Sequence, residues 1–291
     1  MFFLCSYNFV TSRLTLSLIQ LAYFFSAFSG ILPKGFTSAQ YARRGFFEMC
    51  ALCAVNLGLL TLCLVLVRRT GGRIPLSTRL LSLFVCLFSL VLVSVSISKM
   101  SLYIGAYGLT RLRILTTIFD LCLAVSIVCV GIWLLRPRFP YMKVIVAAVF
   151  LAVILTGLLD VDSQVARYNV DAYQSGKLET VDMETLEHLS GGSTAHLVKL
   201  LDDDDPEIAD VAKSILARRL AENYTWQTGQ DGTVRFIPRN TDLRSWNYKG
   251  QEERDALAPI AYQLIDKLIE MGYMDSKVAE TARPEHPLPA P

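Results

Sequence analysis

Residues 80–98 read LLSLFVCLFSLVLVSVSIS and contain no charged side chain. A helix of about 20 apolar residues crosses the hydrocarbon core of a bilayer, which is roughly 30 Å thick. Backbone groups in lipid must be hydrogen-bonded within the segment, so this stretch predicts a membrane-spanning helix and not a strand. Apolar runs of similar length lie on both sides of it, and we expect five spans, at about 14–32, 46–67, 80–98, 114–135 and 141–159.

The first of these runs has a second interpretation. Arg13, the apolar stretch after it and Ala27-Phe28-Ser29 resemble a signal peptide with a small-residue cleavage site. Residues 1–12 are already apolar and lack a basic start, which favours a span that is retained. These first residues are also typical of the middle of a membrane bundle. The alternative is therefore that the chain is the later part of a longer membrane protein.

Charge is distributed very unevenly along the chain. Residues 1–159 contain 14 Lys and Arg but only two acids, Glu48 and Asp120, whereas residues 160–291 contain 14 Lys and Arg and 24 acids. All seven cysteines lie in the first part and all three histidines in the second. This pattern excludes a single soluble domain of uniform composition, a disulfide scaffold and a typical nucleic-acid-binding protein.

We therefore expect an all-α membrane protein of three regions. About five transmembrane helices within residues 1–159 precede a small, mainly helical, acidic soluble domain at 160–275 and a Pro-rich disordered tail at 276–291. Asp205-Pro206-Glu207 marks the clearest helix start, with Asp as the cap and Pro in the first helical position. The other expected elements are a continuation of the fifth span to Gly176, short helices from Asp182 and Gly191, a short β-hairpin within 226–237, and a last helix at about 250–271.

The basic residues between the spans predict the orientation. With five spans, the loops after the first and third spans lie on the same side as the C-terminal domain. The opposite side carries eight basic residues, and these two loops carry six. The positive-inside rule then places the C-terminal domain outside the cytoplasm of a multi-pass protein of the cell membrane.

Charged residues inside the apolar runs are the most informative candidates for a functional site. Asp120 lies two turns into the fourth predicted span, and Glu48 lies at the start of the second, four residues after Arg44. Arg113 is seven residues before Asp120, so the two share one face of a helix. Ionisable groups at such depth usually face protein or water. Three interpretations remain open: a structural polar seam, a path for a proton, ion or substrate, and a catalytic carboxylate.

Other chemically suggestive residues favour ordinary structural roles. Cys50-Ala-Leu-Cys53 has the spacing of a redox or metal motif. It lies inside an apolar run, however, where cysteines typically serve as small apolar side chains that pack between helices. The acidic run 202–205 lacks the spacing of a calcium loop, and His188 and His196 have no neighbouring cysteine. The sequence contains no phosphate-binding loop and no hydrolase motif. We therefore expect no catalytic residue, no cofactor and no metal, and we lean away from an enzyme.

Four short stretches carry a resemblance to a known family. Together they resemble bacterial multi-pass membrane proteins known as domain of unknown function four-one-seven-three, close to four-one-five-three. The resemblance covers about residues 34–250, and it implies location and architecture but no activity. It also implies that members are longer, with additional spans before this region. The stretches are YARRGFF at 41–47, YGLTRLR at 107–113, ARYNVDAY at 166–173 and DLRSWN at 242–247.

With five spans, all four stretches lie on the same side of the membrane. Their Tyr, Arg, Asn and Trp side chains suit hydrogen-bonded docking and binding at a membrane interface. They either lock loops to the soluble domain or form a composite surface for a lipid headgroup, a glycan or a partner protein. This candidate functional polar surface, with the two acids, comprises Tyr41, Arg43, Arg44, Glu48, Tyr107, Arg111, Arg113, Asp120, Arg167, Tyr168, Asn169, Tyr173, Asp242, Arg244, Trp246 and Asn247.

The sequence predicts a non-enzymatic scaffold or sensor. Because the acidic domain shares its side with basic loops, we expect it to dock on the loops after the first and third spans. Its expected partners are the lipid bilayer and an envelope protein, lipid headgroup or glycan, and not a nucleic acid. The alternative is a transporter or a lipid- or glycan-processing membrane enzyme that uses Asp120, Glu48 and the Arg cluster.

Overall fold

The computed structural model describes residues 38–67, 74–228, 234–239 and 248–276, except for the side chains of residues 38–48, 59, 63, 66, 248 and 249. The chain divides into two compact units. We call residues 1–107 and 112–157 the apolar unit, and residues 108–111 and 158–291 the acidic unit. The short segment Gly108–Arg111 thus belongs to the acidic unit, although it connects two helices of the apolar unit. The predicted limits of the three regions stay a prediction.

Four long helices make up the described part of the apolar unit. Three of them, α2, α3 and α4, are long and apolar enough to cross a membrane by length and composition, whereas α1 contains a shorter apolar segment, Met49–Leu62. The count of five spans stays a prediction, and the first predicted span, 14–32, lies outside the described residues. The helices are α1 (Ser38–Leu66), α2 (Leu76–Tyr107), α3 (Arg111–Leu135) and α4 (Tyr141–Leu158).

The core of the apolar unit is formed by α1, α2 and α3. Met49, Leu92 and Ile127 are almost completely buried in one cluster to which all three helices contribute. Helix α4 has no buried residue in the described structure, and its ring contact with the bundle joins Tyr141 to Trp133 at 5.1 Å. In lipid, exposed apolar side chains carry no penalty, so packing and interhelical hydrogen bonds decide which helix faces meet.

Short helices and one hairpin make up the acidic unit. Its central helix α8 begins at the predicted Asp205-Pro206 signal, where the Asp205 carboxylate accepts a hydrogen bond from Glu207 N–H. The elements are α5 (Val161–Gln174), α6 (Met183–Glu187), η1 (Gly191–Ser193), α7 (Thr194–Leu197), η2 (Val198–Leu200), α8 (Pro206–Asn223), β1 (Tyr224–Thr228), β2 (Val234–Pro238), α9 (Tyr248–Leu257), η3 (Ala258–Leu264) and α10 (Ile265–Glu270).

The acidic unit has a hydrophobic core of its own. Val165, Leu197, Leu216 and Leu268 are completely buried and come from four different helices. Burying one such side chain stabilises a folded domain by about 1.5–3 kcal/mol. The predicted hairpin is confirmed as an antiparallel pair, and Phe236 on β2 packs edge-on against nearby aromatic rings.

Two stretches that were predicted as continuous helices are interrupted in the structure. The last predicted span does not run on to Gly176, because α4 ends at Leu158 and Asp160 caps a new helix, α5. The predicted helix at 250–271 is interrupted by η3, which contains Pro259 near its start; proline cannot donate the backbone hydrogen bond of a helix interior. The predicted end of α5 is confirmed, since Gly176 has φ +69°, a conformation that favours glycine.

Candidate functional site

Two polar arrangements stand out in the described residues, one in each unit. In the acidic unit, side chains of α5 hold the segment that connects α2 to α3. We call Leu109, Arg111, Asp162 and Asn169 the loop clamp. In the apolar unit, buried polar side chains meet between α1, α2 and α3. We call Cys50, Cys53, Asn56, Ser82, Ser89, Ser96 and Asp120 the polar seam.

Asn169 is the centre of the loop clamp. Its side chain is 3% exposed, and its Nδ2 donates to the carbonyl oxygen of Leu109 at 2.9 Å. Its Oδ1 accepts from the backbone N–H of Leu109 at 2.6 Å. A carboxamide has one donor group and one acceptor group, so it satisfies both backbone groups of a single residue. Asn169 therefore fixes the backbone of the connecting segment.

Gly108 makes this close approach feasible. Its φ is +75°, which L side chains rarely adopt, and a Cβ at this position would lie 2.6 Å from Asn169 Oδ1. Both the conformation and the space therefore require glycine. The Tyr-Gly-Leu order of the second sequence motif thus has a direct structural reason.

Arg111 and Asp162 form the charged part of the loop clamp. Nε and Nη2 of Arg111 each donate to one oxygen of the Asp162 carboxylate, which gives a bidentate pair. Ser190 N–H donates to the same carboxylate at 3.0 Å. Burial raises the pKa of Asp162, but the hydrogen bonds from Arg111 and Ser190 outweigh it and hold that pKa below its usual range. Asp162 is therefore ionised at neutral pH, and bidentate charge-assisted pairs are strong and specific in direction.

The turn that carries Ser190 fits tightly against its surroundings. A Cβ on Gly192 would lie 1.9 Å from Asp160 Oδ2, and a Cβ on Gly191 would lie 2.4 Å from Glu253 Oε2. Real Cβ atoms do not approach other atoms so closely, so both positions require glycine. The predicted role of this Gly-Gly-Ser sequence was only to start a helix.

Arg219 binds the same turn through several hydrogen bonds. It lies on α8 and is only 5% exposed. Its guanidinium donates to Ser193 Oγ at 2.9 Å, to Thr194 Oγ1 at 2.7 Å and to the carbonyl of Leu189 at 2.8 Å. Burial lowers the pKa of Arg219 from its ordinary value. Sequence reasoning missed this residue, although a charged residue on the apolar face of α8 was the signal that could have found it.

Three predicted site residues on α5 have different surroundings. Tyr173 donates to Asp203 at 2.8 Å, and this hydrogen bond raises the pKa of the tyrosine. Arg167 lies on the surface 3.8 Å from Asp171, whose pKa is lowered mainly by a hydrogen bond from Lys199. Tyr168 is exposed and lines a shallow groove together with Arg167. Tyr173 therefore stabilises the unit, while Arg167 and Tyr168 face outward.

Arg113 lies in the first turn of α3, where its side chain reaches the end of α2. Its Nη1 donates to the carbonyl oxygen of Tyr107 at 2.8 Å, and its guanidinium lies 4.1 Å from the centre of the Tyr103 ring. Among the described residues, no hydrogen bond or ion pair joins Arg113 to Asp120. The two residues thus share a helix face, and their described contacts are with different groups.

The polar seam joins the three core helices of the apolar unit. Asp120 on α3 is 1% exposed, and its Oδ1 accepts from the thiol of Cys50 on α1 at 3.1 Å. Asn56 Nδ2 donates to Ser89 Oγ at 3.1 Å, which links α1 to α2. The three serines of the seam are spaced by seven residues and so share one face of α2. Within the described residues, no group of three His, Cys, Asp or Glu is arranged to hold a metal ion.

The remaining candidate residues lie wholly or partly outside the described part of the structure. The backbone of Tyr41, Arg43, Arg44 and Glu48 belongs to α1, but their side chains lie outside the described part of the structure. The fourth motif, Asp242 to Asn247 with Arg244 and Trp246, lies outside the described residues altogether. Of the four motifs, the structure thus brings together the second and the third.

A family model matches residues 13–200, with the description "Domain of unknown function (DUF4153)". The chain belongs to the DUF4153 family. The resemblance drawn from the sequence motifs is thereby confirmed through the second of its two named families. The loop clamp and the polar seam lie entirely inside the DUF4153 match, whereas Arg219 lies beyond it. No curated protein and no solved structure matches the chain.

Proposed function

We propose that this DUF4153 protein is a non-enzymatic, multi-pass membrane scaffold or sensor. Its acidic unit holds the loop between two membrane helices and responds to partners at the membrane surface. The observation that carries the proposal is the pairing of Asn169 with the backbone of Leu109, reinforced by the ion pair of Arg111 and Asp162.

The strength of the loop clamp suits a switchable contact. Each hydrogen bond between Asn169 and Leu109 contributes about 1 kcal/mol. The ion pair contributes about 1 kcal/mol at most, because the Arg111 side chain is 49% exposed and screened by water. A total near 3 kcal/mol keeps the loop bound in more than about 99% of molecules. A partner that prefers the released loop by a similar free energy would shift the balance.

The partner surface and the orientation are parts of this proposal. The groove beside Arg167 and Tyr168 offers a cation and an aromatic ring, which suit an envelope protein, a lipid headgroup or a glycan. The charge count of the loops supports five spans in the cell membrane, with the acidic unit outside the cytoplasm. Reporter fusions after Asp160 and after Pro291 test the orientation. Activity of a cytoplasmic reporter at both positions would reject it.

Complementation in cells that lack this protein separates the proposed function from its alternative. The alternative, a transporter or a lipid- or glycan-processing enzyme, is favoured by the buried carboxyl group of Asp120. For a scaffold or sensor, we expect Asp120→Asn to complement, while Arg111→Glu and removal of residues 160–291 fail. The opposite pattern, with loss of function in Asp120→Asn at normal membrane levels, would favour the transporter or enzyme. Arg235→Glu, at an exposed position on β2 outside the groove and the loop clamp, is the matched control for Arg111→Glu.

A further inference from the structure

We propose that Asp120 is a proton-binding site inside the apolar unit, with its carboxyl group occupied by a proton at neutral pH. The inference rests on the polar seam and stands apart from the proposed scaffold or sensor role. It concerns a ligand, the proton, and three side chains that surround it: Cys50 on α1, Ser96 on α2 and Asp120 on α3.

The first argument is the absence of a counter-ion. Asp120 is buried among apolar helices, and none of the described residues supplies a cation to it. Cys50 and Cys53 face it from α1, and Ser96 faces it from α2. Arg113 on its own helix is bound to Tyr107 instead. An ionised carboxylate without a partner is strongly disfavoured in such surroundings, and binding a proton removes the charge.

The second argument comes from the hydrogen bonds that the seam leaves unmade. Asp120 Oδ2 and Ser96 Oγ are both buried and have no hydrogen-bond partner among the described residues. A serine hydroxyl can donate or accept, so Ser96 can pair with Oδ2 in either protonation state of the carboxyl group. With a proton on Oδ2, that atom donates to Ser96 Oγ and no unpaired charge remains between the apolar helices. Oδ1 continues to accept from the Cys50 thiol.

The seam binds a proton at one place and does not form a chain for proton transfer. Seven residues along a helix correspond to about 10.5 Å, so Ser82, Ser89 and Ser96 are too far apart for direct hydrogen bonds to each other. Ser89 is already bound to Asn56. The geometry therefore points to a single site at Asp120.

Infrared difference spectroscopy of the full-length protein in lipid nanodiscs tests the proposal. We expect wild-type protein at neutral pH to show the carbonyl stretch of a protonated carboxylic acid, and Asp120→Asn to lack that band. Asp204→Asn, which removes an exposed acid of the acidic unit, should leave the band unchanged. Identical spectra of wild type and Asp120→Asn in this region would overturn the proposal.

A second variant checks the assignment without changing the acid. Cys50→Ala removes the thiol that donates to Oδ1, so the band should move to higher frequency. Cys122→Ala, at a half-buried cysteine two residues beyond Asp120 on α3, is the matched control and should leave the frequency unchanged. An unshifted band in Cys50→Ala would overturn the assignment to Asp120.

Folding provides a third measurement, because asparagine resembles a neutral carboxyl group in size and shape. We compare the equilibrium constant for unfolding of wild type with that of Asp120→Asn. If Asp120 is protonated in the folded protein, unfolding above roughly pH 4 releases one proton. The ratio of the two constants should then rise about tenfold per pH unit. A ratio that stays constant between about pH 5 and 8 would show an ionised carboxylate and reject the proposal. Among the described residues, Cys50, Cys53 and Ser96 face Asp120, while Arg113 donates to the carbonyl of Tyr107.

Discussion

Replacing Asn169 by alanine should release the segment that connects α2 to α3. The change removes the hydrogen bonds to the N–H and the carbonyl of Leu109, and each is worth about 1 kcal/mol, or somewhat more if a buried group stays unpaired. We therefore expect a loss of about 2–3 kcal/mol in the local free energy of opening, which corresponds to roughly a 30- to 150-fold change in equilibrium constant. The helices themselves lose no core side chain.

Hydrogen–deuterium exchange of the purified full-length protein measures this loss directly. The backbone N–H of Leu109 donates to Asn169, so its exchange rate reports on the clamp, and we expect the rate to rise by the same factor. Asn223→Ala is the matched control, because Asn223 binds the carbonyl of Arg219 in the same unit and does not contact the loop. Unchanged exchange at Leu109 in Asn169→Ala, or an equal increase in both variants, would refute the reasoning.

Asn169→Asp sharpens the same test. Aspartate keeps an acceptor for the N–H of Leu109, but it places a second carboxylate oxygen against the Leu109 carbonyl, where the amide had a donor at 2.9 Å. At neutral pH we expect this variant to lose at least as much protection at Leu109 as alanine does. Protonation below about pH 4 restores the donor, so part of the protection should return. Equal protection at both pH values would contradict the donor role of Nδ2.

Three further predictions concern the supports of the loop clamp. Arg111→Glu should increase protease cleavage near residue 109, and combining it with Asp162→Arg should restore protection, because the reversed pair keeps opposite charges. Gly192→Ala should reduce the free energy of unfolding of the acidic unit by about 1–3 kcal/mol, because its Cβ would overlap Asp160, and the thermal unfolding midpoint should fall accordingly. Because the folded-state pKa of Asp162 is depressed, its contribution to stability should be complete above about pH 4 and disappear as pH falls below it, and Asp162→Asn should remove this dependence in acid unfolding.

Local signals in the sequence predicted part of the fold well. Runs of apolar residues located α2, α3 and α4, and the Asp-Pro signal located α8. The interruption at Asp160 was missed although Gly157 lies three residues before it, and Asp160 followed by Asp162 is itself a cap with an acid in the first turn. Pro259 gave a clear signal against a continuous last helix. These misses come from giving apolar periodicity more weight than capping residues.

The sequence predicted only part of the loop clamp. The motifs named Arg111 and Asn169 as candidates, and both are in the clamp, because exposed loops seldom combine such directional polar residues without a role. Their partners were not found. Asp162 is 51 residues from Arg111, and Arg219 acts through a turn about 26 residues before it. Spacing along a helix or strand carries no information about contacts at such separations.

The shared helix face of Arg113 and Asp120 did not predict which groups each of them binds. Arg113 and Asp120 are seven residues apart, which places them on one helix face but about 10.5 Å apart along the axis. Side chains three or four residues apart can pair, whereas those seven apart need a third group between them. Arg113 instead binds a carbonyl at the end of α2, which is a favourable place for a cation. Within the described part of the chain, Asp120 is therefore a buried acid with no cation beside it, and such surroundings favour a carboxyl group that keeps its proton.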